Sequence, residues 1–167
     1  MVPKIKRDKT PEQALAALMR LCAKAERSSG DALRLMRRWG LSDADSRKVL
    51  EQLVKERFID DCRYAEAFVR EKMNLSGWGT YKIAAALRAK GIAQPIIGQA
   101  LEQLAAADMQ ERLQTLIARR LRTLKAKSPF DARAKLLRYA ISQGYDYGTA
   151  RECVEAAVAA DGDEGEL

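Results

Sequence analysis

Apolar residues recur along this chain at steps of three and four, the period of helices that bury one face. Thr10, Pro11 and Gln13 open the first such segment: a hydroxyl cap, a proline at the first helical position, and a glutamine spaced to close a capping box. Leu15, Leu18, Met19 and Cys22 carry its buried face, and Ser28, Ser29 and Gly30 break it. A short second helix presents Ala32, Leu33, Met36 and Trp39 and stops at Gly40, and a third starts behind the cap Ser42 and covers about 43–57. The same reading predicts helices near 61–75, 80–90, 95–107, 109–126, 129–143 and 147–160. Pro95 and Pro129 mark two openings, and Asp131 stands in a first turn, where the helix dipole favours a carboxylate.

A longer register lies over these helices. With Gly40, Gly91 and Gly144 aligned, a period of 51 and then 53 residues, each is followed by a large side chain (Leu41, Ile92, Tyr145) and preceded eight positions earlier by Ala32, Ile83 or Leu136. Ten residues after the glycines stand Leu50, Leu101 and Val154, and thirteen after stand Leu53, Leu104 and Ala157. Glycine ending a helix permits a left-handed cap, so its recurrence has a backbone reason. The expectation is an all-α fold of three tandem three-helix repeats, at 11–60, 61–108 and 109–160, stacked into an elongated, curved body. A basic N-terminal arm, 1–10, precedes them, and an acidic tail, 161–167, follows with nothing to bury and is expected to be disordered. Coincidental spacing in an Ala- and Leu-rich bundle is the competing reading.

Composition agrees with helices: 47% of the 167 residues are hydrophobic but only 6% aromatic. The net charge of +7 favours anionic partners. Four acids and no cations fall in the last seven residues, so the body carries +11. The charge is densest over 110–138, where nine Lys and Arg face Glu111 and Asp131. There Leu113, Leu116, Ile117, Leu121 and Leu124 form an apolar face, and Arg112, Arg119 and Arg122 cluster away from it, with Lys125 and Lys127 beyond. Arg120 falls on the apolar side and is the misfit. Such a face either contacts phosphate or an acidic wall, or is merely solvated.

Candidate chemistry is sparse. The chain has no histidine, and Cys22, Cys62 and Cys153 have neither zinc spacing nor a disulfide framework. No enzyme, metal or cofactor is expected. Without an apolar run of membrane-spanning length, the expectation is a reduced, cytoplasmic, monomeric protein.

The most distinctive stretch is Arg57-Phe58-Ile59-Asp60-Asp61-Cys62-Arg63-Tyr64-Ala65-Glu66-Ala67-Phe68-Val69. It resembles the signature of the RecX family, in which a glycine, an aromatic, an aliphatic and two aspartates precede an arginine, an aromatic and an alanine, and an aromatic-valine pair follows. The likeness continues through Lys72, Gly77, Gly79, Tyr81, Lys82, Ile83, Leu87, Lys90, Gly91 and Ile92, and upstream at Arg27 and Ser28. It spans roughly 14–160 and weakens beyond about 108. Arg57 replaces the family's glycine, Lys72 its usual arginine, and Thr80 a common proline. The resemblance implies a non-enzymatic regulator that binds RecA recombinase filaments on single-stranded DNA and inhibits strand exchange or filament growth, within DNA repair and the SOS response. A stand-alone, non-specific DNA-binding helical module is the alternative, and a scaffold for another acidic protein is a third.

Within the signature, Asp60 and Asp61 invite a metal reading, but adjacent carboxylates at a helix opening more simply cap free amides, with an orienting contact to Arg63 as the remainder. Tyr64, Ala65, Phe68 and Val69 cover one helical arc from which Lys72 also projects, so its ammonium either reaches past them to water or meets an anionic partner. Gly77, Trp78 and Gly79 lack the Gly-Lys-Ser/Thr of a phosphate loop and suit a tight turn, with Trp78 packed or open to stacking. Lys72, Lys82 and Lys90 join the arginines of the basic stretch as candidate contacts for the filament or for DNA, while Gly91 ends a helix.

Overall fold

The computed structural model describes residues 8–164. Nine α-helices account for its ordered secondary structure, and there is no strand among the described residues. They are α1 (Pro11–Lys24), α2 (Ser29–Arg38), α3 (Asp43–Lys55), α4 (Asp61–Asn74), α5 (Thr80–Ala89), α6 (Gln94–Glu102), α7 (Ala106–Thr123), α8 (Pro129–Ser142) and α9 (Tyr147–Glu164). The described residues fall into two compact units. Unit 1 comprises the chain up to Ala67 together with Leu87–Gly98, and unit 2 comprises Phe68–Ala86 together with the chain from Gln99 on.

Local chemistry accounts for the helix starts. The Gln13 amide donates to Thr10 Oγ1 at 3.2 Å and the Thr10 amide to Gln13 Oε1 at 3.0 Å, closing the capping box before α1. Ser28, Ser42 and Ser128 cap α2, α3 and α8 through the amides of Asp31, Asp45 and Asp131. Ser29 and Gly30, which the sequence places in a break, are the first turn of α2 instead. The boundary between α6 and α7 also lies earlier than the apolar pattern places it, at Glu102 and Ala106. A run of alanines there offers no punctuation, and α7 starts without a side-chain cap. At the other end, α9 runs on through Asp161–Glu164, four residues assigned above to a disordered tail. Once a helix is propagating, each further residue adds a backbone bond, so three acids and Gly162 extend it despite the cost of the glycine. Residues 1–7 of the basic arm and 165–167 of the tail lie outside the described residues.

The three aligned glycines end α2, α5 and α8 with one geometry. Gly40, Gly91 and Gly144 have φ of +80°, +79° and +97°. In each case the glycine amide donates three residues back, to Arg37, Arg88 or Ile141, and the next amide donates five back, from Leu41 to Met36, Ile92 to Leu87 and Tyr145 to Ala140. This is the Schellman arrangement. It explains the apolar residue after each glycine, which folds back onto the helix it has left. Met36, Leu87 and Ala140 are all fully buried.

In unit 1, Ala14 and Leu18 of α1, Ala32 and Met36 of α2, and Val49 and Leu53 of α3 form one core with Ile59. In unit 2, Met109, Leu113 and Ile117 of α7, Ala132, Leu136 and Ala140 of α8, and Ala150, Cys153, Val154 and Val158 of α9 are buried.

The glycine turns also receive the start of another helix. In unit 1, Ser28 Oγ donates to the Lys90 carbonyl at 2.9 Å, and Gly30 lies so close that a Cβ there would stand 2.2 Å from that oxygen. In unit 2, the Gly79 amide donates to the Gln143 carbonyl at 2.7 Å and the Tyr81 amide to the Gly144 carbonyl at 3.0 Å. Ser28 and Gly79 each stand twelve positions before their own aligned glycine, and Lys90 and Gln143 one position before the next. The same register thus makes the same backbone dock twice.

Two predictions follow from the backbone. A Cβ at Gly79 would stand 2.4 Å from the Gly144 carbonyl oxygen, whereas one at Gly98 in α6 meets nothing within 4 Å. Gly79→Ala should therefore destabilise by about 1–3 kcal/mol, and Gly98→Ala should stabilise by about 0.5–1 kcal/mol; urea titrations giving equal effects would refute the close approach. Arg57 has a φ of 60°, in the left-handed region. Arg57→Gly should gain up to about 1 kcal/mol, after subtraction of glycine's larger unfolded entropy, while Arg57→Ala should not, and denaturation midpoints of the two variants separate strain relief from loss of the side chain.

Candidate partner-binding surfaces

The signature stretch is mostly internal architecture. Ile59, Ala65 and Val69 are buried. Asp60 Oδ1 accepts the Arg63 amide at 3.1 Å, capping its own helix α4. Asp61 turns to a different helix: its Oδ1 accepts the Ser29 amide at 2.8 Å and its Oδ2 the Ser29 hydroxyl, so it closes the start of α2. Sequence spacing had shown one helix opening, and the second is visible only in the fold. Arg63 Nε donates to Glu26 at 2.7 Å, and its Nη2 reaches the carbonyls of Arg57 and Phe58 at 3.3 and 3.4 Å, bracing the left-handed turn. Tyr64 is half-buried.

Lys72 and Lys82 come together in unit 2 on one indole. Lys72 Nζ lies 4.9 Å from the Trp78 ring centre and 5.5 Å from that of Phe68, and Lys82 Nζ lies 4.5 Å from Trp78. Phe68 meets Trp78 edge to face at 6.4 Å. Two ammonium groups over one ring are each attracted by its quadrupole and repel one another, which leaves the pair suited to a shared anion. Trp78 is half-buried by this packing. Lys90 belongs to unit 1.

The loop between α4 and α5 is fixed at several points within unit 2. Gly77, at φ +67°, passes against the Leu116 methyls, its carbonyl accepts the Tyr145 hydroxyl at 3.1 Å, and the Trp78 amide donates to Lys72 at 3.0 Å. Burial pushes the Tyr145 phenol up, which keeps it a hydrogen-bond donor. Arg112 is half-buried and its Nη1 approaches the Met73 carbonyl at 3.4 Å. Between this loop and α7 runs a groove of about 540 Å³, with Arg112 and Arg119 on its α7 side beside Asp108 and Glu111.

The basic stretch sorts into paired and unpaired cations. Arg133 pairs with Glu155 of α9 at 3.2 Å, an acid 22 positions away that the local charge balance had not counted, and Lys135 pairs with Asp131 at 3.0 Å. Arg120, the misfit, lays its guanidinium 4.8 Å from the Tyr139 ring centre. Arg119, Arg122, Lys125 and Lys127 are exposed, and none forms an ion pair among the described residues. They form a cationic edge from the end of α7 into the following turn. That turn is held by the Lys127 amide on Asp131 at 3.0 Å and by Lys135 Nζ on the Lys125 carbonyl at 2.8 Å.

Burial pushes the thiols of Cys22 and Cys153 up, away from the nucleophilic thiolate. Among the described residues no three His, Cys, Asp or Glu side chains gather as a metal site, and no helix is long and apolar enough to cross a membrane.

Comparison with known proteins meets this geometry at the level of family. The chain matches the family model described as RecX, second three-helix domain, over residues 60–101, and that of RecX, third three-helix domain, over 107–154. The regulatory protein RecX of Mycobacterium leprae is 32% identical over 152 residues, covering 90% of this chain and 88% of that protein. The one from Streptomyces coelicolor is 26% identical, covering 93% and 82%. Among solved structures, RecX from Lactobacillus salivarius superposes with a TM-score of 0.79 at 20% identity, over 88% of this chain and 96% of that one, a likeness of fold. The sequence signature, the all-α helical repeat fold and these matches agree: the chain belongs to the RecX family of regulatory proteins.

Proposed function

We propose that this protein binds bacterial RecA nucleoprotein filaments and restrains the recombinase, and that the cationic edge of unit 2 is its contact surface. The observation that carries the reading is the set of four unpaired cations, Arg119 and Arg122 at the end of α7 and Lys125 and Lys127 in the following turn, whose backbone is pinned by hydrogen bonds. Exposed charges that satisfy no internal partner contribute little to stability, so their concentration is better explained by an external anion. A nucleoprotein filament offers two kinds, the DNA phosphates and acidic side chains. Lys72 and Lys82, sharing Trp78, supply a second positive point in the same unit. Inhibition of strand exchange would follow from occupancy of the filament, with no chemistry required of the regulator. The DNA-module reading differs in one respect, since it needs no recombinase.

Arg112 belongs to a different category from its neighbours on α7. It is half-buried against the Met73 carbonyl, so a charge reversal there disturbs the loop as well as the surface. The informative variant therefore leaves it in place. Replacing Arg119, Arg122, Lys125 and Lys127 by Glu should preserve helicity, lower co-sedimentation with RecA filaments on single-stranded DNA at least tenfold, at an order-of-magnitude level, and flatten the salt dependence of binding. Equal retention by naked DNA and by filaments at matched ionic strength would favour the stand-alone DNA module. Unchanged filament binding with an unchanged salt slope would return this edge to a solvated face.

A further inference from the structure

A second concentration of charge lies wholly within unit 1, in a cleft of about 190 Å³ lined by Arg27, Asp31, Arg34, Leu35, Arg38 and Lys90. Four cations there face one carboxylate, which two of them engage. Arg34 Nη2 takes Asp31 Oδ1 at 2.6 Å, Lys90 Nζ stands 3.7 Å from the same oxygen, and Arg34 Nη1 donates to the Ala89 carbonyl at 3.0 Å. Burial pushes the Asp31 carboxyl up, yet the bond from Arg34 and the charge of Lys90 outweigh it and hold the group below its ordinary value. Both cations are held on Oδ1. Arg27 and Arg38 are left over, with no hydrogen bond or ion pair among the described residues, and the Arg27 Nε is buried without an acceptor. A buried donor nitrogen with no partner in the protein is rare, and it is satisfied from outside the chain, by a water or by an anion.

The backbone gathers these groups in advance. Arg34 and Arg38 follow Asp31 by three and seven positions on one face of α2, and Arg27 immediately precedes the cap Ser28. Lys90 arrives through the dock, where Ser28 holds its carbonyl and the bare Gly30 admits it. Guanidinium forks match the paired oxygens of a phosphate, as they do those of a carboxylate. Arg34, Arg37 and Arg38 are all exposed along the same helix, so a polymer of phosphates meets successive cations where a lone ion would use only one site.

We infer that this cleft binds a phosphate group of a nucleic-acid backbone, with Arg27 and Arg38 as its ligands and the Arg34–Asp31–Lys90 cluster as a fixed wall. The inference does not depend on the recombinase reading, which rests on the edge of unit 2, and its test contains no recombinase. In the full chain labelled with nitrogen-15, the Arg27 Nε–Hε resonance is followed during titration with inorganic phosphate and, separately, with a short oligothymidylate at low salt. Both should shift it saturably, the oligonucleotide at a concentration at least about tenfold lower because several phosphates are engaged. Arg38→Gln, at an exposed position that the fold does not use, should weaken the oligonucleotide-induced shift at least threefold, as an order-of-magnitude expectation for loss of one phosphate contact. Arg27→Lys, which removes the fork together with the reporter nitrogen, is read by fluorescence anisotropy of a labelled oligothymidylate and should weaken its binding further. A response to phosphate with none to the oligonucleotide would overturn the polymer assignment, and no response to either, or an Arg38→Gln titration identical to wild type, would overturn the site.

Discussion

The fold depends on backbone meeting backbone at the glycine turns. A helix start can reach the carbonyls at the end of another helix only if no side chain intervenes, and Gly30 and Gly79 provide that clearance against Lys90 and Gly144. The bonds formed there, from Ser28 to Lys90 and from Gly79 to Gln143, satisfy carbonyls that a helix end would otherwise leave to water. Because the receiving turn is itself fixed by a left-handed glycine, the dock has little freedom to slide. The cores of aliphatic side chains then fill around a geometry already set by main chain.

That constraint explains why conspicuous sequence features are internal. The paired aspartates close two helices, α4 and α2, and Arg63 braces the turn at Arg57 against Glu26. Arg57 stands where the family has glycine, and its φ of 60° is the left-handed conformation that glycine would accept without strain. What remains available for a partner is the charge that the interior does not use.

The fold was largely legible in the sequence, because caps and glycines punctuate it: Thr10, Ser42 and Ser128 open helices and Gly40, Gly91 and Gly144 close them. Where punctuation is missing, as in the alanines around 105–107 and the polar run after Ala160, the boundaries were misplaced. The candidate surfaces were only half legible. Helical periodicity separated Arg119 and Arg122 from the apolar face of α7, but Glu155 and Tyr139 engage Arg133 and Arg120 from other helices, and Trp78, though near Lys72 and Lys82 in sequence, meets them through a loop whose course no helical period describes. The cleft around Arg27 escaped for the same reason, since Lys90 reaches it from 63 positions away through a backbone dock. A single sequence shows the helical face a residue occupies and not the partner that crosses to it.

The claim that the unpaired cations at the end of α7 engage a recombinase filament is tested most directly by hydrogen exchange of the full chain, free and bound to RecA filaments on single-stranded DNA. The account predicts slowed amide exchange concentrated at the end of α7 and in the turn through Lys127, since a contact there would restrict opening of hydrogen bonds that now face water. Clear binding with protection elsewhere and none over residues 119–127 would contradict it.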